Sequence, residues 1–282
     1  MKELVKIMSD FAYRAGVDTS RVFDDFLRYV INGFTLPGFP GLTDWGYTKE
    51  QNQTFLVMFG TLVKGVQRQL DTRGWYDAFG TIYEDLIASK SRRSGSGQFF
   101  TPETVCDLMT ELVYGSENMT GKVVSDCACG SGRTLLSFNA RHLGNFYVAE
   151  DVDRTCCMMT VCNFLLHGME GEVVWHDSLC PEKFYGAWRV NEGINKLFAK
   201  YYGLPHVKPI GWDDCLLKKM GDKRKSEIRV ADKLQANAKR LFSEFKKLKS
   251  KGKLTDEERL RVVELLRKYG KINQVIKKRQ NV

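Results

Sequence analysis

Asp126-Cys127-Ala128-Cys129-Gly130-Ser131-Gly132-Arg133 reads as a tight turn between a strand and a helix. Before it, Lys122-Val123-Val124-Ser125 is a short β-branched run entered from the turn-forming Thr120-Gly121; after it, Thr134 to Ala140 suits a helix. Gly130 and Gly132 carry no Cβ and tolerate positive φ. The loop can therefore wrap a nucleoside while the helix start offers unpaired N–H groups to its polar edge. Ordinary strand-to-helix turns also hold two glycines one residue apart, so the flanking sequence must carry the argument.

Working outward, Asn145 to Ala149 predicts a second strand that closes on Glu150, Asp151 and Asp153. A helix with Met158, Val161, Phe164 and Leu165 ends at His167-Gly168, and Glu172 to His176 makes a third strand before Asp177-Ser178. The order βαβαβ predicts an α/β fold with a Rossmann-like parallel sheet whose strand ends converge on one edge. An acid at the end of the second strand, about 20 residues past a glycine loop, is placed to accept from both hydroxyls of a ribose. Asp151 and Asp153 stand 19 and 21 residues beyond Gly132, with Glu150 just before them, and all three stay open at this level. Asp177 is placed to accept from the exocyclic amine of a purine. The loop has neither the G-x-G-x-x-G spacing of a dinucleotide site nor the Lys-Ser/Thr of a phosphate loop, so a phosphate-free nucleoside fits it better.

Three regions are expected: a helical domain over 1–90, the α/β domain over 97–215 and a basic helical tail over 218–282. In the first, Asp18 caps a helix with Val22, Phe23, Phe26, Leu27, Val30 and Ile31 at core spacing. Thr48 and Gln51 box the start of another, with Phe55, Leu56, Phe59, Leu62 and Val63, and Trp75 to Leu86 predicts a third. Ser89 to Gly97 reads as a basic linker, and Thr101-Pro102 starts a helix carrying Val105, Leu108, Met109, Leu112 and Val113. Leu179 to Gly211 has scattered aromatics and no legible strand pattern. Ile228 to Lys249 reads as one long basic helix, followed by two shorter ones.

The chain has 282 residues, 43% of them apolar, enough for a real core. No apolar run approaches the roughly 20 residues of a membrane span, and the first residues lack the apolar core of a secretion signal, so a cytoplasmic protein without membrane contact is expected. The eight cysteines and four histidines show no zinc spacing; they read as reduced, buried or surface residues, and no metal site is expected. The net charge of +9 conceals an uneven distribution. Residues 218–282 hold 22 basic and 8 acidic side chains, leaving the rest of the chain slightly acidic. Such a tail, with Lys246, Lys247, Lys249, Lys251 and Lys253 in one run, points to nucleic acid, by phosphate contacts that carry no base sequence, rather than to a merely solvated charged helical pair.

Taken together, Gly97-Gln98-Phe99-Phe100-Thr101-Pro102, Asp126 to Gly132, the acids near Asp151 and His176-Asp177-Ser178-Leu179 resemble adenine-N6 DNA methyltransferases, in particular the modification subunits of type I restriction systems. The resemblance covers roughly Trp75 to Leu179, and the helical first region also looks like that family's amino-terminal domain. It implies an S-adenosylmethionine site in which Phe100, Thr101 and Pro102 line the wall. Asp126, Ala128, Gly130, Ser131 and Gly132 would hold the methionine end, Asp151 the ribose and Asp177 the adenine. It also implies DNA as substrate and a specificity or other restriction-modification subunit as partner.

One departure is as specific as the match. Family members carry an Asn-Pro-Pro-aromatic motif that clamps the flipped target base, and this chain has no Pro-Pro pair. Cys127 also replaces the proline usual in the family's glycine loop. Some forty residues after Asp177 are too few for the remaining strands of a full sheet. A substitute clamp is to be sought at Asn191, flanked by Tyr185 and Trp188; otherwise these aromatics simply pack a cap over the sheet edge. The chain is thus expected to be an adenine-N6 DNA methyltransferase of a restriction-modification system, active alone or with a partner. Alternatively it is a non-catalytic cofactor- and DNA-binding derivative, or a helical DNA-binding adaptor that binds no cofactor.

Overall fold

The computed structural model describes residues 1–38, 46–88, 100–115, 119–180, 182–196, 200–201 and 203–250, and single positions beyond. Residues 1–216 form one compact unit and 217–282 a second. The expected linker, with Gly97-Gln98-Phe99, lies outside the described residues.

The first unit begins with α1 (Lys2–Ala15), α2 (Thr19–Phe34) and α3 (Lys49–Arg73). Asp18 caps α2 by accepting the Ser20 N–H at 2.7 Å, and Thr48 with Gln51 forms a reciprocal capping box at α3. The predicted stripe of α2 is buried throughout. That of α3 is rotated from expectation: Phe55, Met58, Leu62 and Val66 are buried, whereas Leu56 and Val63 face solvent. A short helix α4 (Ala78–Tyr83), capped by Asp77, runs into a π-helical turn over Glu84–Ala88.

The α/β part comprises α5 (Glu103–Tyr114), β1 (Val123–Asp126), α6 (Arg133–Arg141), β2 (Phe146–Asp151), α7 (Arg154–Leu166), β3 (Glu170–His176), β4 (Phe184–Val190) and β5 (Val207–Ile210). The sheet order is β1-β2-β3-β4-β5, with β1, β2 and β3 parallel, as the βαβαβ pattern predicts. Beyond β3 the chain turns back: β4 runs antiparallel to β3 and β5 antiparallel to β4. The stretch with no legible pattern thus supplies two strands. Helix α7 is buried around nearly its whole circumference, between the sheet and helices α2 and α4, which accounts for the absence of a polar face. All eight cysteines are free thiols; burial raises those of Cys129, Cys156, Cys157 and Cys162, which are apolar filling rather than nucleophiles.

Among the described residues β1 pairs on one side only. A doubly wound sheet continues beyond its first strand and binds its ligand where the order reverses; among the described residues no strand lies on that side of β1. On α5 the apolar stripe is turned outward. Val105, Leu108, Met109, Leu112 and Val113 are exposed, and Cys106 and Thr110 are the buried positions instead. Helix periodicity identifies an apolar face but not whether anything covers it.

The second unit contains most of helix α8 (Leu216–Lys249), and single helical positions recur between 257 and 274. No described helix is long and apolar enough to cross a membrane.

Candidate functional site

The glycine loop leaves β1 at Asp126, whose carboxylate orders the turn by accepting the Ala128 N–H at 3.1 Å and the Thr134 hydroxyl. Gly130 has φ +56°, and a Cβ there would stand 2.9 Å from the Phe100 ring, so the position requires glycine on two grounds. Gly132, with φ +83°, is the N-cap of α6. Across the loop, Asp151 accepts the Gly130 N–H at 2.9 Å through Oδ2 and the Asp153 N–H at 2.8 Å through Oδ1. Burial raises the Asp151 carboxyl above its ordinary value, and those two N–H groups offset this only in part.

Strand alternation separates the three acids left open by the sequence. Asp151 faces the loop. Glu150 points the other way and is held at 2.7 Å by His176 Nε2, both side chains being buried. Asp153 caps α7 by accepting the Cys156 N–H. A pocket of about 200 Å³ lies over the loop. Phe100, Thr101, Asp126, Ala128, Gly130, Ser131 and Asp151 line it, together with Cys129 and Arg133 of the same loop, Thr134 and Cys156. Pro102 and Gly132 are not in the lining but serve as the N-caps of α5 and α6. Asp177 follows β3 at the same sheet edge, outside the lining, with its carboxylate accepting the Leu179 N–H at 3.0 Å.

Beneath the loop is a buried polar cluster that sequence reading missed. Asp77 is fully buried and accepts four hydrogen bonds: from the Gly80 N–H (2.8 Å), the Ser131 hydroxyl (2.6 Å), Arg133 Nε (2.8 Å) and Asn163 Nδ2 (2.8 Å). Asn163 also donates to the Ser131 carbonyl. The Ser131 side chain is therefore turned into the protein, so it can face a ligand only through its backbone. Burial would lower the Arg133 guanidinium, but Asp77 and Glu84 outweigh it and raise it. One signal was available in the sequence. Arg133 is the first residue of α6, where a cation opposes the helix dipole and calls for a carboxylate partner.

The substitute clamp is not assembled. Because β4 runs antiparallel, its end at Val190 lies beside Gly171 near the start of β3, so Asn191 stands at the opposite edge of the sheet from the loop. Asn191 is fully buried at φ +53°; its amide nitrogen donates to the carbonyls of Phe164 and Met169, and its oxygen accepts the His206 N–H, each at 3.0 Å. It ties the end of α7 and the entry to β5 to the turn after β4. Trp188 is buried within β4, and only Tyr185, its ring centroid 5.1 Å from that of Trp175, lies near the loop edge. In the basic tail, Lys246 and Lys247 are exposed on α8 and Lys249 ends that helix, while Lys251 and Lys253 fall outside the described residues.

A glycine loop at the carboxyl end of a parallel strand, faced by an acid from the next strand, is the arrangement of a Rossmann-like α/β unit. The family model described as N-6 DNA Methylase matches residues 75–254, and the chain belongs to that family. It is 28% identical over 119 residues to the type I restriction enzyme MjaIX methylase subunit of Methanocaldococcus jannaschii, covering 38% of this chain and 20% of that protein. With the EcoEI methylase subunit of Escherichia coli the identity is 26% over 139 residues, or 42% and 28% of the two chains. The chain thus spans well under a third of either relative. A type I restriction-modification methyltransferase subunit from Streptococcus thermophilus matches 44% of this chain and 26% of its own, at 26% identity and a TM-score of 0.29.

Proposed function

We propose that this chain binds S-adenosylmethionine in the glycine-loop pocket and serves as the cofactor-binding part of an adenine-N6 DNA-methylating assembly of restriction-modification type. The observation that carries the reading is the pairing of Gly130 with Asp151 across the loop, which sets two carboxylates, Asp126 and Asp151, around one small pocket. The donor set suits the molecule. Carboxylate oxygens can accept from an ammonium group and from ribose hydroxyls, and Ala128 and Gly130 border the same pocket. Its volume is below the roughly 300–1,000 Å³ of most small-molecule sites, so it would take the amino-acid and ribose end, with the base lying outward toward Asp177. The bound molecule would supply an electrophilic methyl group on a sulfonium.

Transfer of that methyl requires the acceptor nitrogen to be held in line with it. The candidates for that role, Asn191 and Trp188, are built into the far side of the sheet and its core. On this reading neither residue holds the target base, and the exposed lysines of α8 contribute phosphate contacts to DNA. Calorimetric titration of the full chain with S-adenosylmethionine tests the binding, with saturable 1:1 heat expected. Labelled-methyl transfer to duplex DNA tests the rest. No incorporation by the chain alone is expected, and efficient incorporation would overturn the assignment of a dependent subunit.

A further inference from the structure

The pocket is tied to the helices of the first eighty-eight residues. Phe100 and Thr101 form one side of it and the loop forms the floor; Ser131 of the loop donates to Asp77, the Phe100 ring lies 5.5 Å from that of Tyr83, and one side chain, Arg133, joins wall, loop and helices together. Arg133 is 5% exposed. Its Nε donates to Asp77 at 2.8 Å, its Nη1 to the Thr101 carbonyl at 3.2 Å, and its two Nη groups reach Glu84 at 3.4 and 3.3 Å. Its guanidinium also lies 5.5 Å from the centroid of the Phe100 ring. The planar fork of arginine satisfies all these partners in one geometry; a lysine offers a point charge without the fork.

Resting on the S-adenosylmethionine reading above, we infer that Arg133, Asp77 and Glu84 are positioning residues. They lock the pocket into its binding shape, so that cofactor affinity is governed by the helical region rather than by the α/β unit alone. Three observations converge. Asp77 is the N-cap of α4 and at the same time the acceptor for Ser131 in the loop, so movement of α4 is movement of the loop. Gly80 lies so close that a Cβ there would stand 2.7 Å from the Ser131 hydroxyl, leaving no slack between helix and loop. Glu84, at the start of the π-helical turn, is the least buried member, with its side chain 33% exposed. It is therefore the point at which the brace meets solvent, and the point at which a change can loosen it without emptying the core.

The test uses the full chain with Glu84→Ala and Arg133→Lys. The half-exposed Glu84 contact should weaken S-adenosylmethionine binding by about threefold to tenfold on calorimetric titration, and loss of the arginine fork by about tenfold or more. Amide exchange in the ligand-free protein supplies a readout that general destabilisation would not give. Amides of Cys129 to Arg133 should exchange faster in both variants, while those of Tyr147 to Ala149 in β2 keep the wild-type rate. Glu84→Asp should restore part of the affinity. Unchanged affinity together with unchanged loop exchange would overturn the inference, and so would equal acceleration in loop and strand. If the wild-type chain binds no S-adenosylmethionine, the functional reading fails instead, and the exchange pattern still decides whether the brace exists.

Discussion

Two turns in this protein carry a residue in the left-handed region next to polar side chains, and they have opposite fates. The loop after β1 sits at the carboxyl end of a parallel strand, opens its backbone to a pocket, and is held from below by the Asp77 cluster. The turn after β4, with Asn191 at φ +53°, sits at the far edge, and its side-chain amide is bound to three backbone groups. Both require a tolerant backbone, but only the first leaves hydrogen-bonding groups for a ligand. Strand direction decides between them: a strand returning antiparallel delivers its terminal residues to the wrong edge.

The sharpest attempt to break this comparison is Asp77→Ala, which leaves Arg133 buried without its main partner. It should lower unfolding free energy by about 3–5 kcal/mol in urea titration and abolish cofactor binding. Asn191→Ala should cost about 2–3 kcal/mol by removing buried hydrogen bonds, yet leave S-adenosylmethionine affinity within about twofold once the protein is folded. A large loss of affinity there would mean that Asn191 does serve the site. Gly130→Ala, forced to hold φ +56° against Phe100, should cost about 1–2 kcal/mol and reduce affinity more than stability.

Asp151 gives the subtlest contrast, because its charge affects fold and ligand in opposite directions. Its folded pKa is raised, so its contribution to stability is fully present below the unfolded value of 3.8 and is lost as pH rises through the folded pKa. Cofactor affinity should run the other way, falling as acidification protonates the ribose acceptor, from a pH above the ordinary aspartate range. Calorimetry at stepped pH on wild type and Asp151→Asn should give a slope in the first that is flattened in the second, with about tenfold weaker binding by the variant at neutral pH. In the tail, Lys246→Gln with Lys247→Gln should reduce the salt dependence of DNA binding by a slope of roughly 0.9 for each phosphate contact removed, without changing cofactor affinity.

Much of the cradle is legible locally. Gly130, Gly132 and the group of acids Glu150, Asp151 and Asp153 announce themselves by spacing from a β-branched run, and the parallel order of three strands follows from βαβαβ alone. Asp77 did not, since its partners Ser131 and Arg133 lie 54 and 56 residues away and only the fold brings them together. The apolar stripe of α5 is legible as a stripe, but its exposure is not, because periodicity does not say whether anything covers an apolar face.

The family follows from the resemblance of quoted motifs, and the glycine loop, the parallel βαβαβ unit and the basic tail from residue type and short-range periodicity, all of which can be read off the chain alone. Only the tertiary structure decided which of three neighbouring acids faces the pocket, that β4 turns back and carries Asn191 away from it, and that a buried arginine ties loop to helices. Those outcomes depend on strand direction and on contacts across half the chain, where periodicity carries no information and packing does.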